Sequence, residues 1–163
     1  MIFLNIGIWS SHMKKLIIVY HSQSGTIEAL VKSIRLALND DTSVELIIKR
    51  AVDCTGQDIR AANLVLLAAS ECCGLMSGGI KEFLDRVYYP LMGKVDGMPY
   101  GLLISAGNDG TGAVREISKY LDSLAMNKAM PALIVKGEYS SDTSKRADEL
   151  GLTLAAGLSV GMF

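Results

Sequence analysis

Chemistry is concentrated in the middle of the stretch LIIVYHSQSGTIEALVKSI, residues 16–34. Ser22, Ser24 and Thr26 bring three hydroxyl donors close together, with Gln23 between them and Gly25 to let the backbone turn tightly. An aliphatic run precedes this break and helical spacing follows it, so the hydroxyls stand at the entrance of a helix. Helix entrances carry unpaired N–H groups and a partial positive charge, which favour an anion. A single hydroxyl is enough for an ordinary helix cap. Three hydroxyls, a glycine and a strand in front point instead to a phosphate held by neutral donors. The lysine of a G-x-x-x-x-G-K-[ST] loop is missing, and no G-x-G-x-x-G follows the first strand. Nucleoside triphosphate chemistry and Rossmann-type dinucleotide binding are therefore disfavoured.

Two more stretches are rich in small residues. SECCGLMSGG, residues 70–79, contains Ser70, Glu71, Cys72, Cys73 and Gly74. SAGNDGTG, residues 105–112, contains Ser105, Ala106, Gly107, Asn108, Gly110 and Gly112. Adjacent cysteines can form a strained disulfide or expose a reactive thiolate, but no neighbouring histidine is present in sequence to activate the pair. Cys54 reads as a small core residue. His12, His21 and the scattered carboxylates show no metal-ligand spacing.

These stretches need a scaffold, and the hydrophobic pattern supplies one. Residues 16–20 form a continuous aliphatic run, the mark of a strand buried on both faces. Ile27, Leu30, Val31, Ile34 and Leu38 then recur at helical spacing. Further strands are expected at 44–48, 64–69, 102–105 and 132–135, with helical segments at 56–63, 80–89, 112–126 and 142–158. Alternating strands and helices imply a parallel sheet covered on both sides by right-handed crossovers. The expectation is a three-layer α/β/α domain over residues 13–163, with a five-stranded parallel sheet in the order 2-1-3-4-5. In such a sheet, ligands sit beyond the carboxyl ends of the strands at the switch point. All three small-residue stretches leave those ends.

Composition narrows the function classes. The chain has 163 residues, half of them apolar, which suits one globular domain and excludes disorder. Sixteen basic and seventeen acidic residues give a net charge of -1, with no pull toward nucleic acid or an anionic membrane. No apolar run approaches the roughly 20 residues that cross a bilayer. Three cysteines are not a disulfide framework, and a cytoplasmic setting is expected. Residues 1–12, MIFLNIGIWSSH, lack the positive start and cleavage site of a signal peptide, and are expected to be an appended leader or an arm on the domain or a partner.

YHSQSGTIEAL resembles the phosphate loop of flavodoxin-like FMN proteins. MSGGIKEFLDRV, residues 76–87, is similar to the segment after the third strand in NAD(P)H-dependent flavin and quinone reductases of the tryptophan-repressor-binding-protein type. The resemblance runs from about residue 13 to the end of the chain. It implies a flavodoxin-like fold and FMN as cofactor. Ser22, Ser24, Gly25 and Thr26 would hold the phosphate, residues 70–77 would border one edge of the isoalloxazine ring, and residues 106–112 the other. The ring loop departs from the family pattern in two places. Cys73 stands where an aromatic residue often stacks on the ring, and Glu71 introduces a carboxylate.

The resemblance further implies an oxidoreductase that takes hydride from NAD(P)H and passes it to a small-molecule acceptor such as a quinone or flavin; it also admits a homo-oligomer. The alternatives are a flavodoxin-type one-electron carrier and a non-catalytic flavodoxin-like binding domain. Carriers of that type tend to be strongly acidic and steer toward basic partners, which a net charge of -1 does little to support.

Overall fold

Along β1 (Lys14–Tyr20), consecutive side chains point to opposite faces of a sheet. Leu16 and Ile18 enter one hydrophobic cluster, Ile17 and Val19 enter another, and all four are fully buried. That is why the run carries no polar alternation: there is no solvent face. The computed structural model describes residues 13–163; the arm expected at residues 1–12 lies outside them.

After β1 come α1 (Thr26–Ala37), β2 (Val44–Arg50), a 3-10 turn (Ala51–Asp53), α2 (Gly56–Arg60), β3 (Leu64–Cys72), β4 (Leu75–Met76) and α3 (Gly78–Leu91). The chain continues through β5 (Pro99–Ala106), α4 (Thr111–Ser123), β6 (Asn127–Lys128), β7 (Leu133–Lys136) and α5 (Ser141–Ser159). β2, β1, β3 and β5 lie side by side in that order, all parallel. The fifth place is shared: β6 pairs with the start of β5 and β7 with its end. Pro131 lies between the two, and proline has no N–H to give a ladder. The expected order 2-1-3-4-5 is thus present, with its last strand in two pieces.

α1 and α5 cover one face. Gly151 of α5 lets them approach closely, since a Cβ there would stand 2.5 Å from Ile34 Cγ2. α3 and α4 cover the other face, where Phe83, Leu84, Val87, Ile117 and Leu121 are buried. Among the described residues no helix is long and apolar enough to cross a membrane.

One correction bears on the site. β3 does not end at residue 69 but runs to Cys72 and folds back antiparallel onto β4, pairing Glu71 with Met76 and Cys72 with Leu75. The hydrophobic run stops at Ala69, so the pattern gives no sign of the extra residues; pairing with β4 carries them. The two-residue turn, Cys73–Gly74, has φ of 52° and 76°. Two positive φ values in succession mark the type I′ turn that matches the twist of a tight hairpin.

Candidate functional site

The carboxyl edge of the sheet presents several helix entrances, and α1 and α4 have opposite electrostatic fates. At α1, Gly25 is the N-cap with φ 93°, a conformation that costs a residue with a Cβ about 1–2 kcal/mol. Among the described residues no side chain caps this entrance. The first helical carbonyl is used, as Ala29 N donates to Gly25 O at 2.9 Å, but the first-turn N–H groups find no side-chain acceptor. Just before them the Ser22 Oγ is buried with no hydrogen-bond partner among the described residues. A buried hydroxyl left unpaired costs about 1–3 kcal/mol. Ser24 Oγ and Thr26 Oγ1 stand 3.5 Å apart on the exposed lip of the same turn. Open backbone donors, an orphaned hydroxyl and two further hydroxyls make a cradle for an oxyanion.

At α4 the entrance is filled by the chain itself. Glu71, from the end of β3, accepts hydrogen bonds from Gly110 N at 3.3 Å, Gly112 N at 3.1 Å and Ala113 N at 3.3 Å. Asp109 accepts from Thr111 N at 2.8 Å and Thr111 Oγ1 at 2.7 Å, and these bonds hold its carboxyl below the usual range. Two carboxylates therefore neutralise the dipole of α4. The hairpin is held from its other strand too, because Met76 N donates to Glu116 of α4 at 2.8 Å. At the turn the backbones touch: a Cβ on Gly112 would lie 1.8 Å from Gly74 O. α5 likewise caps itself, with a reciprocal Ser140–Thr143 box. The α3 entrance at Ser77 also lacks a side-chain cap but does not line the cleft described next; of the α1, α4 and α5 entrances, the one on α1 has no side-chain acceptor among the described residues.

Beside it a cleft of about 560 Å³ opens across the ends of β3, β5 and β7. Ser24, Gly25, Thr26 and Ala29 form one wall, Ser70 and Glu71 with Ser105, Ala106 and Gly107 form the floor, and Gly137, Glu138 and Tyr139 form the far wall. Of the residues expected at a site, Ser22 and Gln23 stay on the turn before α1 without lining this cleft. Cys72, Cys73 and Gly74 lie at the hairpin tip, and Asn108, Gly110 and Gly112 in the turn into α4. Glu71 lines the cleft while tying hairpin to helix. Sequence reasoning missed Ala29, Gly137, Glu138 and Tyr139. The last three leave the carboxyl end of the last parallel strand, so the rule that drew attention to the other loops covered this one as well.

Cys72 and Cys73 are both exposed, and the Cys73 thiol beside Cys72 raises its pKa through a side-chain hydrogen bond. Cys54 is buried, and burial pushes its thiol up to about 12, with the Asp58 carboxylate adding to the rise. His21 Nδ1 is 3.1 Å from the hydroxyl of buried Ser77. Its ring lies on the first turn of α3 where a Cβ on Gly79 would come within 2.2 Å. Among the described residues no group of three or more His, Cys, Asp or Glu side chains is placed to hold a metal.

No protein-family model and no curated protein matches the chain. Solved structures do. Oxidised Flavodoxin 1 from Bacillus cereus superposes with a TM-score of 0.76 at 15% identity, covering 92% of this chain and 99% of its own. A flavodoxin from the domain Archaea gives 0.74 at 19% identity, over 88% and 98%. The flavodoxin, WrbA-like protein from Agrobacterium tumefaciens gives 0.74 at 14% identity, over 89% and 97%. The fold is flavodoxin-like. At such identities the likeness extends to the fold alone, and the function has to be argued from the site.

Proposed function

We propose that this chain is an FMN-binding redox protein whose α1 entrance holds the phosphate of the cofactor. One observation carries the reading: an uncapped helix entrance, with a buried unpaired Ser22 hydroxyl beside it, borders a cleft of about 560 Å³. That volume falls within the usual range of small-molecule and cofactor sites. The phosphate would accept hydrogen bonds from Ser22, Ser24, Thr26 and the first-turn N–H groups. The α1 dipole stabilises its charge without any lysine. Ser70, Ser105, Ala106 and Gly107 are small enough to let backbone groups approach a flat ring. When bound, FMN supplies hydride and single-electron chemistry at its isoalloxazine ring.

Glu71 gives the site its own bias. Its carboxylate lines the cleft, and a negative charge there disfavours any gain of negative charge on a neighbouring ring. Its three N–H partners pin that charge in place.

Within this reading we favour an NAD(P)H-dependent oxidoreductase that passes hydride to a quinone, flavin or similar acceptor. The cleft is broad and open, so a second flat ring can stack over the first, and positioning then supplies most of the catalysis. The net charge of -1 offers little long-range steering toward a protein partner. The likeness to flavodoxins supports the second reading, a one-electron carrier.

The phosphate is tested by comparing FMN with riboflavin, which has the same ring and no phosphate. Each hydrogen bond to a charged group contributes about 1.5–3 kcal/mol. Thr26→Ala is therefore expected to weaken FMN about 10- to 100-fold and to leave riboflavin unchanged. Equal affinity of the wild type for the two ligands refutes the phosphate site. Anaerobic addition of NADH or NADPH to the FMN-loaded protein then separates the readings, since bleaching of the flavin bands is expected of the oxidoreductase alone.

A further inference from the structure

We infer that Tyr139, in the turn after β7, is the surface against which the flat ring of the ligand lies, so that the ring sits on the β7 side of the cleft and not between the β3–β4 hairpin and the α4 entrance. This placement rests on the FMN reading above and assigns a position to its ring.

The slot between hairpin and α4 is closed. A flat ring needs about 7 Å between the atoms on its two faces. Gly74 O instead lies so close to Gly112 that a Cβ could not fit between them, and Glu71 bonds directly to the backbone of residues 110, 112 and 113. Met76 N, fastened to Glu116, holds the second strand of the hairpin to the same helix. Opening the slot would break all of these bonds together. The cleft opens the other way, toward residues 137–139, and needs no such rearrangement.

Tyr139 is the aromatic side chain on the cleft wall, and it is 48% exposed. An exposed tyrosine on a turn is ordinarily mobile, but this one is held by a chain of hydroxyls with a single direction. Ser33 Oγ donates to Asp148 Oδ1 at 2.6 Å. Having spent its proton there, Ser33 can only accept from Ser144 Oγ, 2.6 Å away. Ser144 in turn accepts from the Tyr139 hydroxyl at 3.2 Å. Tyr139 donates, each serine hydroxyl donates once and accepts once, and the chain ends on a carboxylate. Ser33 belongs to α1, and Ser144 and Asp148 to α5, so the phenol is fastened to two packed helices while its ring stays available. α1 also carries the anion site. One helix thus fixes the phosphate end of the cleft and helps to hold the aromatic wall at the other. Preorganising a wall in this way avoids the ordering cost that a mobile side chain brings to binding.

The prediction differs from that for the phosphate loop in which ligand it touches. Stacking acts on the ring, so Tyr139→Ala is expected to weaken FMN and riboflavin by the same factor, about 10-fold. A change in the phosphate loop acts on FMN alone. A spectroscopic readout accompanies it: a phenol in contact with a photoexcited flavin donates an electron and quenches its fluorescence. Bound flavin is expected to be dark in the wild type and to brighten in Tyr139→Ala. Tyr139→Phe keeps the stacking surface but removes the easily oxidised phenol, so affinity is kept while fluorescence rises. The experiment is fluorescence titration of wild type and both variants with FMN and with riboflavin, with far-UV circular dichroism to verify folding. If affinity and bound-state fluorescence are the same in Tyr139→Ala as in the wild type, the placement is overturned and the phosphate reading stands. If the wild type binds FMN and riboflavin equally, the phosphate reading fails and the riboflavin arm alone decides on Tyr139. If it binds neither, both fall.

Discussion

Replacing Glu71 by alanine removes an acceptor that serves three backbone N–H groups at 3.1–3.3 Å. A hydrogen bond to a charged group contributes about 1.5–3 kcal/mol when well formed. These three are long, share two oxygens, and lie in a half-buried region where water can replace part of what is lost. Simple addition therefore overshoots. Loss of a good helix cap costs about 0.5–2 kcal/mol, and removing an anion from a helix entrance costs up to a similar amount. We expect about 2 kcal/mol in total, which for a domain of this size lowers the melting temperature by about 4–8 °C. Glu71→Gln keeps one acceptor and loses the charge, so its loss is expected to be about half of that. The assay is thermal unfolding of the wild type and both variants at low and high salt. The charge part of the loss shrinks at high salt, since the helix-entrance term is screened. A Glu71→Ala variant that melts with the wild type refutes the argument that this carboxylate welds hairpin to helix. The reading that its charge is pinned in the cleft falls with it.

Four further outcomes concern two glycines and the cysteines. Gly112→Ala forces a Cβ to within 1.8 Å of a backbone carbonyl, so despite alanine's better helix propensity we expect a net loss of about 2 kcal/mol in urea unfolding. Gly78→Ala meets nothing within 4 Å and is expected to unfold at the same urea concentration as the wild type or a higher one. Of the three cysteines, exposed Cys72 and Cys73 are expected to react with a thiol reagent in the native state, and buried Cys54 only after denaturation. The folded-state pKa of Cys54 is raised to about 12 from an ordinary 9.0. Its contribution to stability is therefore present in full below pH 9.0 and is lost as the pH climbs toward about 12, because the unfolded chain gives up the proton first. Urea midpoints of wild type and Cys54→Ser across that range test this; parallel curves for the two proteins would falsify it.

Much of the architecture was legible in the sequence, because burial on both faces of a parallel strand leaves a mark no solvent-facing segment shares. Residues 16–19 and 64–69 are runs of aliphatic or small apolar side chains, and the structure buries them on alternating sides. The strand order followed, since right-handed crossovers allow few alternatives. The turn into α1 was legible too, as Ser22, Ser24, Gly25 and Thr26 are neighbours in sequence and need no distant partner to come together at the helix entrance.

What escaped the sequence were relations between residues far apart along it. Glu71 stands next to two cysteines and reads as a solvent or ring-pocket charge. Only the packing of β3 beside β5 brings it to the N–H groups of residues 110, 112 and 113, some forty positions on. The fit of Gly74 against Gly112, 38 positions apart, likewise follows from packing and leaves no mark in either stretch of sequence. Tyr139 carried no motif at all, and its fastening through Ser144 to Ser33 and Asp148 spans α1 and α5, which Gly151 lets pack closely at Ile34. A pattern of side chains determines which faces must be buried, since hydrophobic burial is nondirectional and local in sequence. Hydrogen bonds are directional and short, so which donor meets which acceptor was decided only once the helices had docked on the sheet.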